Sequence, residues 1–325
     1  MTIAITGAAG HLGRLTAQLV LDRVGAGEVV LVTRRPDALA DLADAGATVR
    51  HGDFDQPDSL PAAFAGVDRL LLVSTDVLGN RVAQHTAAID AAAQAGVGHV
   101  LYTSGLNAGS ALPLVVSHDH GATEEAIRGR GLRWTALRNG LYAESQVAAA
   151  ARAVASGHLV HNNGDGATAY VSREDCAAAA AAALTGDGHE DRVYDITGPE
   201  RVTQAQLAGM VSDITGRRIA VVAIDDDEAT QNLTAVGLPA DAAMAYASFG
   251  TAIREGVLDV VSTHVEDLTG HRPRSLRDVL EAHRSELEET TGPPGPARRS
   301  APTTSDRSCA PPSSRAPETS TPPGA

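Results

Sequence analysis

Gly7, Gly10 and Gly13 recur at three-residue intervals, directly behind a short apolar run over 2–6 and at the head of an amphipathic stretch over 11–24. A strand that turns into a helix through such glycines is suited to one kind of ligand. The first glycine allows the tight turn, the second lets the backbone approach closely, and the third lets helix and strand pack together. The helix that follows aims unpaired N–H groups and the positive end of its dipole at an anion. The expected ligand is the pyrophosphate of a dinucleotide, bordered by Gly7, Ala8, Ala9, Gly10, His11, Leu12 and Gly13.

A second apolar run, 29–33, ends in Arg34-Arg35-Pro36. An Asp or Glu at this strand end would accept from the ribose 2′-hydroxyl of NADH. Arginines suit a 2′-phosphate instead, because a guanidinium donates a forked pair of hydrogen bonds to phosphate oxygens. The cofactor read from these residues is NADPH, with Arg34 as the first contact and Arg35 as helper; the plainer alternative is a pair of solvated loop arginines. Asp53 and Phe54, after the third apolar run, fall where an adenine would lie; Asp53 either accepts the adenine amino proton or caps a turn. Ser74, Thr75 and Asp76 fall at the carboxyl edge, along the ribose or diphosphate.

These residues need a scaffold. Strands over 2–6, 29–33, 48–51, 69–74, 99–103 and 134–137 alternate with helices over 11–24, 36–45, 59–64, 81–95 and 119–130. Alternation of this kind implies βαβ units and a parallel sheet. The expected fold is α/β: a doubly wound parallel Rossmann sheet over 1–139, with returning segments from about 168–197. Beyond 138 the rhythm loosens. Helices over 144–155, 174–184, 204–215 and 225–235 mix with strands over 169–171, 193–196 and 219–223, and a last helix spans 276–287. This reads as a smaller, mostly helical, substrate-binding lobe over 140–288. From 289 to 325 Pro, Ser and Thr dominate, and the expectation is a disordered tail.

Composition closes off several classes. The 325 residues carry a formal net charge of −14, which disfavours nucleic acid as a partner. The longest apolar stretch, 177–184, is too short to span a bilayer, and the N-terminus enters a strand with no leader pattern, so a cytoplasmic protein without membrane insertion is expected. Only Cys176 and Cys309 occur, so no disulfide framework is implied. No metal site is expected. His118 and His120 stand two apart, do not share a helix face and have no cysteine nearby. Asp119 instead opens a helix, and His120 is a candidate proton donor or substrate contact. Asp225-Asp226-Asp227-Glu228 lacks calcium-loop spacing and reads as a charged helix start.

Gly7–Gly13, Arg34-Arg35-Pro36, 70–75, Tyr102-Thr103-Ser104, Leu137-Arg138-Asn139-Gly140 with Tyr142 and Glu144, and Gly164-Asp165-Gly166 together resemble the NmrA-like atypical short-chain dehydrogenases. The pattern resembles most the bacterial NADPH-dependent quinone oxidoreductases of type 2, over most of 1–285. The resemblance implies hydride transfer from NADPH to a quinone. It also implies that Asn139, Gly140, Leu141, Tyr142, Ala143 and Glu144 border the cofactor and that Arg173 reaches the same site.

The chain contains no lysine, so the Tyr-x-x-x-Lys pair of ordinary short-chain dehydrogenases cannot exist. Without it a simple ketone would leave a strongly basic alkoxide. A quinone leaves a delocalised hydroquinone anion that water can protonate later, and the protein's task becomes positioning. Asn139 and Tyr142 are the candidate positioning groups, with strand-end capping and packing as their plainer roles. Two other readings stay open: an NADP(H)-sensing regulatory protein without turnover, and a reductase of other flat acceptors such as azo compounds. A homodimer is the assembly left open.

Overall fold

The computed structural model describes residues 1–77, 79–110 and 115–289. The expected disordered tail lies outside the described residues. The strands are β1 (Ile3–Ile5), β2 (Val29–Thr33), β3 (Thr48–His51), β4 (Arg69–Leu72), β5 (His99–Gly105), β6 (Arg133–Asn139), β7 (His158–His161), β8 (Ala167–Thr168), β9 (Arg192–Ile196), β10 (Val202–Thr203) and β11 (Ala220–Ala223). The helices are α1 (His11–Leu21), α2 (Ala40–Asp44), α3 (Leu60–Phe64), α4 (Arg81–Gln94), α5 (Val115–Gly129), α6 (Glu144–Ser156) and α7 (Arg173–Thr185), followed by α8 (Gln204–Thr215), α9 (Asp226–Ala235), α10 (Ala240–Arg254), α11 (His264–Thr269), α12 (Leu276–Ala282) and α13 (Arg284–Glu289).

Seven strands form one sheet in the order β3-β2-β1-β4-β5-β6-β9, and every pairing in it is parallel. Strand order reverses between β1 and β4, which is where an open α/β sheet leaves a crevice at its carboxyl edge. Side chains alternate between the two faces. Ile3, Ile5, Leu31 and Leu101 pack with Leu12, Ala17 and Val20 of α1 and the alanines of α7. Ala4, Val30, Leu70, Leu72 and Tyr102 pack on the other face, with Phe64, Ala88 and Ile89. The run of alanines in α7 is buried almost throughout, so small side chains let α7 lie close against α1.

A third cluster joins α6, α8 and α12 through Val147, Val154, Leu207, Val211, Leu276 and Leu280. Two small sheets flank it: β7 pairs parallel with β11, and β8 antiparallel with β10.

Three sequence expectations need correction. The strand expected over 169–171 is absent: Val171 makes one bridge to Tyr142, because its N–H bonds Leu141 O and its C=O accepts from Ala143 N–H. The helix expected from 119 begins at Val115, and Asp119 does not cap it; its carboxylate turns to Arg81 at 3.4 Å. The last helix, expected unbroken over 276–287, breaks at His283, whose ring Nδ1 and N–H both compete for the carbonyl of Val279. Helix α10 and strand β7 were not expected at all.

Candidate functional site

The glycine turn closes β1 onto α1. Gly7 takes φ +60, a left-handed conformation that suits glycine, and its carbonyl accepts from Gly10 N–H at 2.8 Å. A Cβ on Gly13 would stand 2.4 Å from Gly7 O, so only glycine lets the first turn of α1 come this near to β1. Arg14 N–H starts the helical ladder by bonding Gly10 O, leaving the amides of His11, Leu12 and Gly13 with no partner among the described residues. Gly10 is the N-cap and brings no side chain to cap them. Three open amides and a positive helix end therefore face the crevice. Thr6 ties its two walls together: its hydroxyl donates to Leu71 O at 3.2 Å and accepts from Val73 N–H at 2.9 Å.

Arg34 and Arg35 follow β2 and are exposed. Neither guanidinium enters an ion pair or side-chain hydrogen bond among the described residues, although Arg14 nearby is paired with Asp41. Beside the open amides, two uncommitted guanidinium forks fit a dinucleotide with an additional phosphate. Asp53 is more committed than expected. Its carboxylate accepts from Asp55 N–H at 3.1 Å and from the Gln56 side-chain amide at 3.2 Å, which is turn capping. Phe54 packs on the core face beneath the sheet and meets His85 edge-on, with ring centroids 6.4 Å apart.

After β4 the three polar residues differ in what they leave free. All of Thr75's polar groups are taken: its amide by His85 Nε2 at 3.1 Å, its hydroxyl by Gln84 at 2.9 Å, and its carbonyl by Arg81 Nε at 2.7 Å. Ser74 donates its amide to Thr103 Oγ1 at 2.8 Å and keeps its hydroxyl proton uncommitted. Asp76 is exposed.

Across the sheet edge, Asn139 ends β6 in register with Gly105 of β5 and Ile196 of β9. Its side-chain amide donates to Tyr142 Oη at 3.5 Å. Gly140, Leu141 and Ala143 carry the chain into α6; a Cβ on Gly140 would meet Ala169 O at 3.2 Å. The Tyr142 ring lies under the Arg173 guanidinium, 4.6 Å from its centroid. Glu144 accepts from Arg173 N–H at 2.8 Å and faces its guanidinium at 3.4 Å. Arg173 opens α7, which packs on α1, so this cluster stands at the same sheet edge as the glycine turn. Burial raises the Tyr142 phenol well above its ordinary range, and burial does the same to Tyr102.

His120, the third candidate, sits on α5 with Nδ1 2.7 Å from Tyr102 Oη. Tyr102 is completely buried, and behind it lies His85, also completely buried. Burial pushes both histidines down to about 3, with the Arg81 charge adding to the effect. Sequence reasoning missed His85 and Arg81. Both lie on an alanine-rich helix with no motif, and only the fold brings them beneath Thr75 and Tyr102. Among the described residues, no group of three His, Cys, Asp or Glu is arranged to hold a metal.

A family described as NAD(P)H-binding matches residues 7–187, more than half of the chain. The chain belongs to this family. It is a member of the NmrA-like atypical short-chain dehydrogenases. Quinone oxidoreductase 2 of Escherichia coli strain K12 is 35% identical over 278 residues, covering 86% of this chain and 97% of that protein. The crystal structure of the NADPH-dependent quinone oxidoreductase of Escherichia coli complexed with NADPH superposes with a TM-score of 0.83 at 34% identity, over 86% of this chain and 99% of that one. The Citrobacter triphenylmethane reductase complexed with NADP(H) gives 0.79 at 34% identity, over 87% and 99%. The family member described here is an NAD(P)H-dependent oxidoreductase with a seven-stranded parallel Rossmann-type sheet.

Proposed function

We propose that this oxidoreductase uses NADPH and delivers hydride to a quinone. The observation that carries the reading is the pair of uncommitted guanidinium groups, Arg34 and Arg35, beside three open amides at the head of α1. That set matches a pyrophosphate with a further phosphate on the adjoining ribose. The cofactor-bound relatives support the same choice.

When bound, the reduced nicotinamide supplies the hydride. The chain's own residues hold and orient. The amides of His11, Leu12 and Gly13 take the pyrophosphate, and Arg34 takes the 2′-phosphate with Arg35 assisting. Ser74 and Asp76 line the ribose side, whereas Asp53 and Thr75 shape their loops. Asn139 offers an amide toward the carboxamide or acceptor, and Tyr142 forms a wall stiffened by Arg173 and Glu144.

The choice of acceptor follows from acidity. The chain has no lysine, and burial raises the phenols of Tyr102 and Tyr142, so neither is a good acid at neutral pH. An acceptor whose reduced form is a weak base needs no such acid. A hydroquinone anion meets that requirement and a simple alkoxide does not.

Loss of NADPH absorbance against a small benzoquinone and a naphthoquinone tests the reading. Steady turnover with quinones and none with a simple ketone is expected. Tight NADPH binding without turnover on any quinone would instead identify a regulatory sensor.

A further inference from the structure

The hydrogen bonds behind His120 fix where its proton sits. The backbone N–H of Thr75 can only donate, and it points at His85 Nε2 from 3.1 Å. His85 Nε2 is therefore bare, and since the ring is neutral its proton is on Nδ1. Nδ1 stands 3.0 Å from Thr123 Oγ1, whose own proton goes to Asp119 O at 2.8 Å. The Thr123 oxygen can therefore accept the His85 proton. Tyr102 Oη lies 3.4 Å from the same Nδ1, which already carries a hydrogen, so the Tyr102 proton cannot go there. The Thr123 oxygen, also beside the phenol, takes the His85 proton, and the shortest contact of Tyr102 Oη is His120 Nδ1 at 2.7 Å, so the Tyr102 proton goes to that nitrogen. His120 Nδ1 is then an acceptor, and the imidazole proton is on Nε2.

That Nε2–H has no partner among the described residues and is not among the buried unpartnered atoms, which are His99 Nδ1 and Glu144 Oε2. It lies over Gly105, where a Cβ would approach Nε2 to 3.3 Å and Cδ2 to 2.9 Å. Gly105 pairs with Asn139 across β5 and β6, so the donor stands at the carboxyl edge of the sheet beside the Asn139–Tyr142 pair.

We propose that His120 presents a fixed, neutral Nε2–H donor to the acceptor oxygen on which negative charge collects, and that Tyr102 and His85 are its positioning residues. This rests on the quinone reading above. The acceptor gains the two electrons and hydrogen of the hydride, the nicotinamide is oxidised in the same step, and water later protonates the acceptor oxygen. His120 stays neutral throughout. The chain behind it ends on a backbone amide that cannot give up its proton, so the relay holds a tautomer and does not deliver protons. The charged and titratable groups around the ring agree: Tyr102 from β5, Arg81 and His85 from α4, and Asp119 and Glu124 from α5. Arg81 opposes a second positive charge on either imidazole, and its own charge meets Asp119. A preorganised neutral donor of this kind stabilises charge without being spent.

The experiment combines nitrogen-15 histidine NMR on the full chain with NADPH bound and kinetics of three variants. The Nε2–H tautomer is expected for His120 from about pH 8 down to about pH 5, with no titration across that range. His120→Phe is expected to lower kcat with a quinone by about 10²-fold while leaving the NADPH Kd unchanged. His120→Gln, which can place an amide N–H near the lost Nε2–H, should recover most of kcat. Tyr102→Phe should release the lock, giving mixed tautomers and a reduced kcat. Wild-type turnover combined with an undiminished kcat in His120→Phe overturns the donor role and spares the quinone reading. A proton found on Nδ1 does the same. A wild type that turns over no quinone overturns the reading, and the proposal falls with it.

Discussion

Arg34 and His120 illustrate two ways a single side chain acts here. Arg34 is exposed and uncommitted, so its expected contribution appears only when a phosphate arrives. Charge-assisted hydrogen bonds of this type contribute about 1.5–3 kcal/mol, so Arg34→Ala should raise the NADPH Michaelis constant by about 10–100-fold and barely alter that for NADH. Equal effects on both nucleotides would refute the 2′-phosphate role. His120 and His85 act instead through what burial forbids. Both are held near 3, against about 6.5 in an unfolded chain. Below about pH 6.5 the unfolded chain takes up protons that the folded chain refuses, so stability is full above that pH and falls toward 3. Each histidine adds a slope of up to about 1.4 kcal/mol per pH unit. Urea unfolding at about pH 7.5 and 5.5 should show this loss, and equal stability at both would contradict the neutral pair. Arg34 was legible because it follows a strand end at a set distance from the glycines. His85 was not, since its meaning depends on contacts with Thr75 and Tyr102, 10 and 17 residues away.

At the scale of elements, the turn between β1 and α1 separates binding from folding. Gly10 has ordinary angles, φ −85 and ψ 168, and a Cβ there would stand 3.2 Å from Gly7 O. Gly10→Val is therefore expected to fold while its methyls occupy the phosphate position, abolishing NADPH binding with little change in Tm. Gly13→Val must displace backbone, since its Cβ would meet Gly7 O at 2.4 Å, and should lower Tm as well. Thermal melts beside nucleotide titrations check both; retained binding in Gly10→Val would remove the pyrophosphate argument. The turn and the strands of the sheet were readable because short unbroken apolar runs and glycine spacing are local signals. Helix α10 was not, because its buried side is Ala243, Ala245, Ala247, Gly250, Ala252 and Ile253, a seam with a single large apolar residue and so no strong apolar rhythm. Strand β7 was missed because its partner β11 lies about sixty residues later and neither is long. Helix α5 was misjudged at its start because Asp119 resembles a cap by type, while its charge is used by Arg81.

For the whole molecule, the parallel sheet sets the reaction geometry. Reversal of strand order between β1 and β4 opens the crevice, α1 and α7 bring their N-termini to its rim, and α5 and β6 bring His120 and Asn139 to the same edge, where they meet at Gly105 of β5. Among the described residues no helix is long and apolar enough to cross a membrane. A ligand that binds the folded chain alone stabilises it by about 2.7 kcal/mol at a hundredfold excess over Kd, so NADPH should raise Tm by a few degrees. The central claim is that this crevice holds a dinucleotide by its additional phosphate. Calorimetric titration of the wild-type chain with NADPH and with NADH tests it most directly. The account expects NADPH to bind at least about tenfold more tightly, a difference of about 1.4 kcal/mol. Equal affinities, or no binding of either nucleotide by the folded protein, would contradict it.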